Sequence, residues 1–289
     1  MSDSANVPAE RTSKTRIDDR DPLGAERRRS ARVRIAAVGD FHCGEEDAGA
    51  YRDLFGQANE DADLLLLAGD LTRRGRESEY RVVVGELADV EIPICAVLGN
   101  HDYECGLVAE GSAVLRGRGI HLLAGDIYQF NDKVSVAGVK GFIGGYGRGT
   151  LTAFGEPEIK ALVQASMDEV QLLEMALRRL ATPYRVVLMH YAPVIGTVDG
   201  EPDVIYPFLG TDRLAEPLDR FAAAVAFHGH AHSGAFRGET SGGVPVFNVS
   251  LSVLRRDGVG QMYYVHELRT PEPGITMATP PSSPASSVP

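Results

Sequence analysis

Polar side chains that can bind metal ions follow five apolar segments of this sequence, each at the point where the segment ends. They are Asp40 with His42, Asp70, Asn100 with His101 and Asp102, His190, and His230 with His232. In open α/β sheets, ligands collect outside the carboxyl ends of the strands. If the five segments are strands, we expect these side chains to meet at one edge.

The residue types indicate which metals such a site would bind. Carboxylate, imidazole and amide oxygen together suit Mn, Fe, Zn or Co, whereas a thiolate site would need cysteines. Seven ligand residues would be too many for one four-coordinate zinc ion. They suffice for two metals if one carboxylate bridges. Two metals roughly 3.5–4 Å apart can hold a hydroxide nucleophile and clamp a phosphoryl oxygen.

Each motif alone has a simpler interpretation. A Gly-Asp pair is a common turn, the His of "MHY" could be a core residue, and "GHAH" could be a polar turn. Taken together, five separate turns would have to select metal-binding residues at the same structural position. The full set therefore favours a metal site over five unrelated turns.

Alternating apolar runs and helical patterns predict the elements that position these residues. The predicted strands are 33–38, 64–68, 94–98, 134–139, 186–189, 225–227, 244–249 and 262–266. The predicted helices are 47–60, 76–89, 156–180 and 211–224. Continuous apolar runs are typical of strands covered on both faces. Strand–helix alternation in the first half, followed by closely spaced strands, predicts an α/β fold with a mixed sheet.

At these strand ends the chain resembles the calcineurin-like metallophosphoesterase superfamily, whose ordered motifs are D-x-H, G-D, G-N-H-D/E, a single H and G-H-x-H. All five motifs occur in that order, within residues 33 to 266. The resemblance implies a four-layer α/β/β/α sandwich with two mixed β-sheets and a two-metal site at their shared edge. It implies one metal held by Asp40, His42, Asp70 and His232, and a second held by Asp70, Asn100, His190 and His230.

The resemblance also implies a reaction, the hydrolysis of phosphate esters by a metal-bridging hydroxide. His101 would be the general acid, and Asp102 would either orient a neighbouring group or cap the next helix. Arg73 stands where the phosphoprotein phosphatase branch has a second Asp. This departure favours the small bacterial-type phosphoesterases, with phosphodiesters slightly preferred over monoesters. Arg148, within the glycine-rich stretch "GFIGGYGRGT", is a candidate for binding substrate phosphate.

Composition limits the other classes of function. The chain has 289 residues, a net charge of −11 and three cysteines. The acidity argues against a nucleic-acid-coating protein, and no apolar run approaches the ~20 residues of a membrane span. An odd number of cysteines without CxxC spacing, and an N-terminus without the apolar core of a secretory signal, predict a cytoplasmic protein.

Three regions follow from the sequence pattern. We expect a disordered N-terminal arm over 1–31, a metallophosphoesterase domain over 32–269, and a disordered Pro- and Ser-rich tail over 270–289. A small phosphorylated substrate is the expected partner, and the oligomeric state stays open. Two alternatives also stay open: a nuclease of the same fold, and a non-catalytic scaffold that binds a partner.

Overall fold

A computed structural model of the chain describes residues 32–257 and 262–269. Val33–Leu268 forms one compact unit, and of the second unit, made of the two chain ends, only Arg32 and Arg269 are described. The arms expected over 1–31 and 270–289 lie outside the described residues. Their disorder and the proposed domain boundaries therefore stay predictions.

The described strands form two sheets. In chain order the strands are β1 (Arg32–Val38), β2 (Leu64–Ala68), β3 (Ile94–Val97), β4 (His121–Leu122), β5 (Asp126–Gln129), β6 (Val134–Gly138), β7 (Tyr184–Leu188), β8 (Val225–His228), β9 (Arg237–Glu239), β10 (Pro245–Asn248) and β11 (Tyr264–Arg269). The first sheet has the order β11-β1-β2-β3-β4, and the second has the order β5-β6-β7-β8-β10-β9. Pairing is parallel from β1 to β4 and from β6 through β8 to β10, while β5 and β9 are antiparallel to their neighbours.

Helices cover the sheets. In chain order they are α1 (Arg52–Asp61), α2 (Glu77–Glu86), α3 (Val108–Gly117), α4 (Pro157–Arg179), α5 (Tyr206–Leu209), α6 (Ala215–Arg220) and α7 (Leu251–Arg256). The longest, α4, begins with Pro157, whose fixed φ suits the first helical position. Its last turn carries Arg178 and Arg179, whose positive charges complement the negative end of the helix dipole.

Alternation along the strands of the second sheet produces two apolar layers. On β7, Val186 and Leu188 belong to the large core shared with the first sheet, whereas Val187 belongs to the core beneath α4. Leu173 and Leu177 of α4 complete that second core. Because successive strand side chains point to opposite faces, one buried strand serves both layers. The expected sandwich with two mixed sheets is confirmed.

The predicted elements differ from the observed ones mainly where the sequence is polar or short. Strands β4, β5 and β9 and helices α3, α5 and α7 have no counterpart among the predicted elements. The helix expected over 47–60 is wrong at its start: α1 begins only at Arg52, after Gly49 adopts a φ of 87°. The helix expected over 211–224 is also shorter, because α6 follows a separate 3-10 turn at Asp212–Leu214 and ends at Arg220.

Candidate metal centre

Side chains from the ends of both sheets meet in two groups that share one carboxylate. Asp40, His42, Asp70 and His232 form the first group, in which one potential ligand atom from each residue lies within 4.8 Å of all the others. Asp70, His190 and His230 form the second group under the same distance limit. Asn100 adjoins this second group, since its Oδ1 lies 3.0 Å from Nε2 of His190. We call these the first and second ligand groups.

The loops after β1 and β2 hold their ligand residues in an uncommon backbone conformation. Asp40, His42 and Asp70 have φ values of 56°, 43° and 48°, and His230 after β8 has a φ of 70°. Positive φ is costly for residues other than glycine and clusters at functional sites. Backbone hydrogen bonds fix the two loops side by side, from His42 N to Asp70 O at 3.1 Å and from Cys43 N to Leu71 O at 2.9 Å.

Two glycines allow the backbone to approach the carboxylates of these loops. A Cβ on Gly99 would collide with Oδ1 of Asp70, and a Cβ on Gly229 would collide with Oδ2 of Asp40. A backbone amide one or two residues after each glycine donates to the same carboxylate: His101 N lies 2.9 Å from Asp70 Oδ1, and His230 N lies 2.9 Å from Asp40 Oδ1. Glycine at these positions is therefore needed for close approach.

The second ligand group has its imidazoles oriented by backbone carbonyls. Nδ1 of His190 donates to Ala68 O at 2.9 Å, and Nε2 of His230 donates to Phe208 O at 3.1 Å. A carbonyl can only accept, so the other ring nitrogen of each neutral imidazole carries a lone pair. Nε2 of His190 directs this lone pair toward Asn100 Oδ1 and toward Asp70 Oδ1, 3.5 Å away. Acceptors facing one another in this way are what a shared cation would stabilise.

The first ligand group is more open. Nε2 of His232 lies 3.0 Å from Asp40 Oδ1 and 3.4 Å from Nε2 of His42. Nε2 of His42 lies 3.9 Å from Asp70 Oδ2. The side chain of His232 is 45% exposed, whereas that of His190 is fully buried. The first group is therefore more open to solvent than the second.

The electrostatics of the cluster also fit metal binding. Burial, together with the charges of Asp40 and Asp102, raises the pKa of Asp70 to about 9. Burial lowers the pKa of His190 to about 3 and that of His42 to about 4, so both imidazoles are neutral at pH 7 and can act as ligands. Cations at this position would supply the positive charge that keeps Asp70 ionised. The donor set and its charge therefore fit two transition metals.

His101 lies beside both groups but is oriented differently. Its Nδ1 lies 2.9 Å from Arg73 O, and its Nε2 lies 4.0 Å from Asp70 Oδ2. The His101 side chain is 41% exposed, and its ring centroid is 4.6 Å from that of His42. Arg73 occupies the position of the missing second Asp, and its backbone carbonyl accepts the hydrogen bond from His101.

Asp102 is fully buried and belongs to neither ligand group. Its carboxylate accepts hydrogen bonds from Leu71 N (3.2 Å), Thr72 N (2.9 Å), Thr72 Oγ1 (2.6 Å) and Gly99 N (2.9 Å). It thus joins the loop that carries Asp70 to the loop that carries Asn100. These contacts differ from helix capping, one of the roles considered from sequence.

Arg148 and His228 belong to neither ligand group. Arg148 is exposed on a 3-10 turn, Gly147–Gly149, and the amide of Gly147 donates to Asp212. His228 is buried, with Nε2 2.8 Å from Thr197 Oγ1 and Nδ1 2.7 Å from Gly229 O. These contacts agree with a structural role for His228.

Sequence reasoning missed the backbone carbonyls of Ala68, Arg73 and Phe208 as orienting groups. It also missed Tyr191, whose ring centroid lies 4.4 Å from that of His230. Tyr191 directly follows His190, and that position is the only sequence signal for it. Carbonyl groups have no such signal, because every residue carries one.

Comparison with solved structures supports the fold. Phosphopantetheinyl hydrolase from Mycobacterium tuberculosis is 14% identical with a TM-score of 0.60, and the match covers 86% of this chain and 99% of that one. Protein TT1561 of Thermus thermophilus is 16% identical with a TM-score of 0.51, covering 82% and 98% of the two chains. At these identities the likeness extends to the fold alone. None of the helices within residues 32–257 and 262–269 has the length and apolar character needed to cross a membrane.

Comparison with proteins of similar sequence indicates the family. A protein of Vesicomyosocius okutanii named a probable cyclic nucleotide phosphodiesterase is 27% identical over 177 residues, which is 60% of this chain and 64% of that protein. A protein of Fibrobacter succinogenes with the same name is 30% identical over 80 residues, 24% and 31% of the two chains. The chain thus matches less than two thirds of the length of either relative. The family model for calcineurin-like phosphoesterases matches residues 33–234. The expected family is therefore confirmed, and the chain belongs to the calcineurin-like phosphoesterases.

Proposed function

We propose that this protein is a metal-dependent phosphoesterase that binds two metals and hydrolyses phosphate esters, with phosphodiesters favoured over monoesters. One observation carries the proposal: Asp70 belongs to both ligand groups, so a single carboxylate can bridge two metals. Family membership supports the same reaction class. The two relatives named as probable cyclic nucleotide phosphodiesterases support the preference for diesters.

The proposed ligands follow the two groups. The first metal would be held by Asp40, His42, Asp70 and His232, and the second by Asp70, Asn100, His190 and His230. Mn, Fe, Zn and Co all suit these ligands. When bound, the two metals would lower the pKa of a water and neutralise charge that develops on the phosphoryl oxygens.

His101 is proposed to protonate the leaving oxygen. Its Nδ1 carries a hydrogen that Arg73 O accepts, so the transferable proton of the imidazolium lies on Nε2. That nitrogen faces the cluster, 4.0 Å from Asp70 Oδ2, and the ring is accessible to a substrate. When the ester bond breaks, the proton passes from Nε2 to the departing alcohol, which leaves neutral.

Asp102 contributes to this site as a positioning residue in our proposal. Its buried carboxylate fixes the loops on either side of His101, through Thr72 on one side and Gly99 on the other. Small displacements of a ligand or acid cost rate, since catalytic groups must be held near their productive geometry. We retain Arg148 as a candidate substrate contact. The hydrogen bond from Gly144 N to Pro207 O joins its loop to α5, and α5 carries the Phe208 carbonyl that accepts from His230.

We further propose a small phosphorylated substrate and a cytoplasmic location. A small phosphorylated substrate in the cytoplasm fits the acidic chain better than nucleic acid does, since a net charge of −11 disfavours binding to a polyanion. The nuclease and scaffold alternatives make different predictions. A nuclease would cleave oligonucleotides faster than cyclic nucleotides, and a scaffold would bind no metal.

A substrate screen tests the proposal. Purified protein would be assayed with Mn, Fe, Zn or Co against phosphomonoesters, 3′,5′-cyclic nucleotides, bis(p-nitrophenyl) phosphate and oligonucleotides. We expect metal-dependent hydrolysis of diesters, loss of activity on chelation, and a fall of about 100-fold or more in His101→Ala on substrates with poor leaving groups. His121→Ala, at an exposed histidine on β4, is the matched control and should keep full activity. Failure of every metal-loaded sample to hydrolyse any ester would contradict the proposal.

A further inference from the structure

Lys140 lies just beyond β6 with its ammonium group largely withdrawn from solvent. Its side chain is 16% exposed, and Nζ donates to Gly141 O at 2.6 Å. Nζ also lies 3.7 Å from Oε1 of Glu169 on α4. A lysine is seldom buried without a compensating partner, because transferring its charge from water is costly. The groups around this ammonium group must therefore compensate for its loss of contact with water.

Three aromatic rings surround the ammonium group. Nζ lies 4.6 Å from the ring centroid of Phe142, 5.1 Å from that of Tyr191 and 5.7 Å from that of Tyr103. Cations within about 6 Å of an aromatic centroid are attracted by the ring quadrupole, and more strongly when both are desolvated. Tyr191 is almost fully buried, whereas Tyr103 lies at the surface. The cation thus attracts one fixed ring and one exposed ring at the same time.

The two tyrosines come from different sheets and from the two sides of the metal centre. Tyr103 ends the 3-10 turn His101–Tyr103, which follows β3 of the first sheet. Tyr191 directly follows His190, after β7 of the second sheet. The backbone carbonyl of Lys140 also accepts from His190 N at 3.0 Å and from Tyr191 N at 3.1 Å. One residue therefore contacts both the turn of the candidate general acid and the loop of a candidate metal ligand.

We propose that Lys140 is a positioning residue whose ammonium group holds Tyr103, and with it the His101 turn, against the His190 loop of the opposite sheet. This inference rests on the proposed function for its kinetic consequence, but the contact itself exists without metal or substrate. Glu169 fixes the direction of the lysine, since Oε1 faces Nζ and Oε2 accepts from Gly141 N at 2.9 Å. The charge is what the contact requires, because a neutral chain of similar length would fill the space without attracting the rings.

Amide hydrogen exchange on the metal-free full chain tests the contact directly. Lys140→Met removes the charge while retaining most of the side-chain volume. We expect faster exchange at the turn amides of Tyr103, Glu104 and Gly106, which donate within the turn. Lys160→Met, at an exposed lysine on α4, is the matched control and should leave the turn unchanged. Unchanged exchange at the turn in Lys140→Met would overturn the inference, whatever the activity.

Kinetic measurements on the metal-loaded protein distinguish a role of Lys140 in positioning His101 from a general loss of activity. An alkoxide needs a proton to leave, whereas p-nitrophenolate does not. In Lys140→Met we expect kcat for a 3′,5′-cyclic nucleotide to fall by roughly ten-fold, with little change in kcat for bis(p-nitrophenyl) phosphate, in KM or in metal content. Lys140→Arg should recover most of the loss, because it keeps the cation.

The outcomes distinguish this inference from the proposed function. Equal loss on both substrates, or a rise in KM with kcat unchanged, would overturn the positioning role. If the wild-type protein hydrolyses neither substrate but Lys140→Met loosens the turn, the proposed function fails and the contact between Lys140 and Tyr103 is supported.

Discussion

The two ligand groups of the metal centre use the same kinds of side chain but hold them in different ways. In the second group, His190 is fully buried, and backbone carbonyls of Ala68 and Phe208 fix the orientation of its two imidazoles. In the first group, the imidazoles of His42 and His232 are 23% and 45% exposed and contact each other and two carboxylates. Asp70 is common to both groups.

This difference indicates that the two ligand groups have different roles, one in binding metal tightly and the other in admitting substrate. Ligands that are already oriented lose little conformational freedom on binding, so the second group should bind its metal more tightly. Ligands that face solvent leave room for substrate and allow faster metal exchange. His101 lies on the side of the first group, with its ring against that of His42. We therefore expect substrate to approach from the first group.

The largest effect is expected at the shared carboxylate. Asp70→Asn keeps the shape and tolerates the positive φ, but it removes the charge that both metals require. We expect metal-dependent activity to fall by about 1,000-fold or more and both metals to bind more weakly. Metal analysis alongside diester hydrolysis would measure this. Loss of only one metal would show that Asp70 does not bridge.

A pair of histidine variants tests the contrast in burial. His190→Ala leaves Ala68 O without its side-chain partner and opens a void, so the free energy of unfolding of the metal-free protein should fall by about 2–4 kcal/mol. His232→Ala, at an exposed position, should cost about 1 kcal/mol or less. Denaturant titration of both metal-free variants measures the difference. Equal losses would contradict the view that His190 is built into the interior and His232 is not.

A smaller effect is expected where the loops are joined beneath the centre. Asp102→Asn would turn one acceptor oxygen into a donor that faces backbone N–H groups, costing about 1–3 kcal/mol in the free energy of unfolding. The kcat should fall as well, because the Asp70 and Asn100 loops lose their common anchor. Thr72→Ser keeps the hydroxyl that donates to Asp102 and serves as the control. If Asp102→Asn matched that control in stability and kcat, the anchoring role would be wrong.

The smallest effect is expected at Arg148. Its loop lies beside α5, on the side of the second group, and the residue is exposed. If it contacts substrate phosphate, Arg148→Ala should raise KM about five-fold with kcat and metal affinity unchanged. Arg179→Ala, at the exposed end of α4, provides the comparison. An unchanged KM would remove Arg148 from the substrate site.

Much of the candidate centre could be predicted, because the residues of its two ligand groups follow apolar strands. The run Leu64–Ala68 is fully buried, and Asp70 comes just after it. The continuous apolar run predicts a buried strand, and the position of Asp70 beyond its end predicts where the carboxylate lies. Strands β4 and β9 carry no such signal. His121–Leu122 is two residues long, and Arg237–Glu239 is polar, so both exist only because a neighbouring strand pairs with them.

Contacts between distant segments could not be read from sequence. The carbonyls that orient His101, His190 and His230 belong to residues whose side chains give no hint of this use. The aromatic surroundings of Lys140 require β3 and β7 to lie in facing sheets, which no local pattern specifies. Asp102 illustrates the same limit, because three of its four hydrogen bonds come from Leu71 and Thr72 in the neighbouring β2 loop.

Calorimetric titration of the metal-free protein with Mn²⁺ tests the central claim most directly. A centre with one bridging carboxylate predicts two binding events per chain, the tighter lost in His190→Ala, the weaker lost in His232→Ala, and both weakened in Asp70→Asn. A single binding event, or two events that Asp70→Asn leaves unchanged, would contradict a shared two-metal centre.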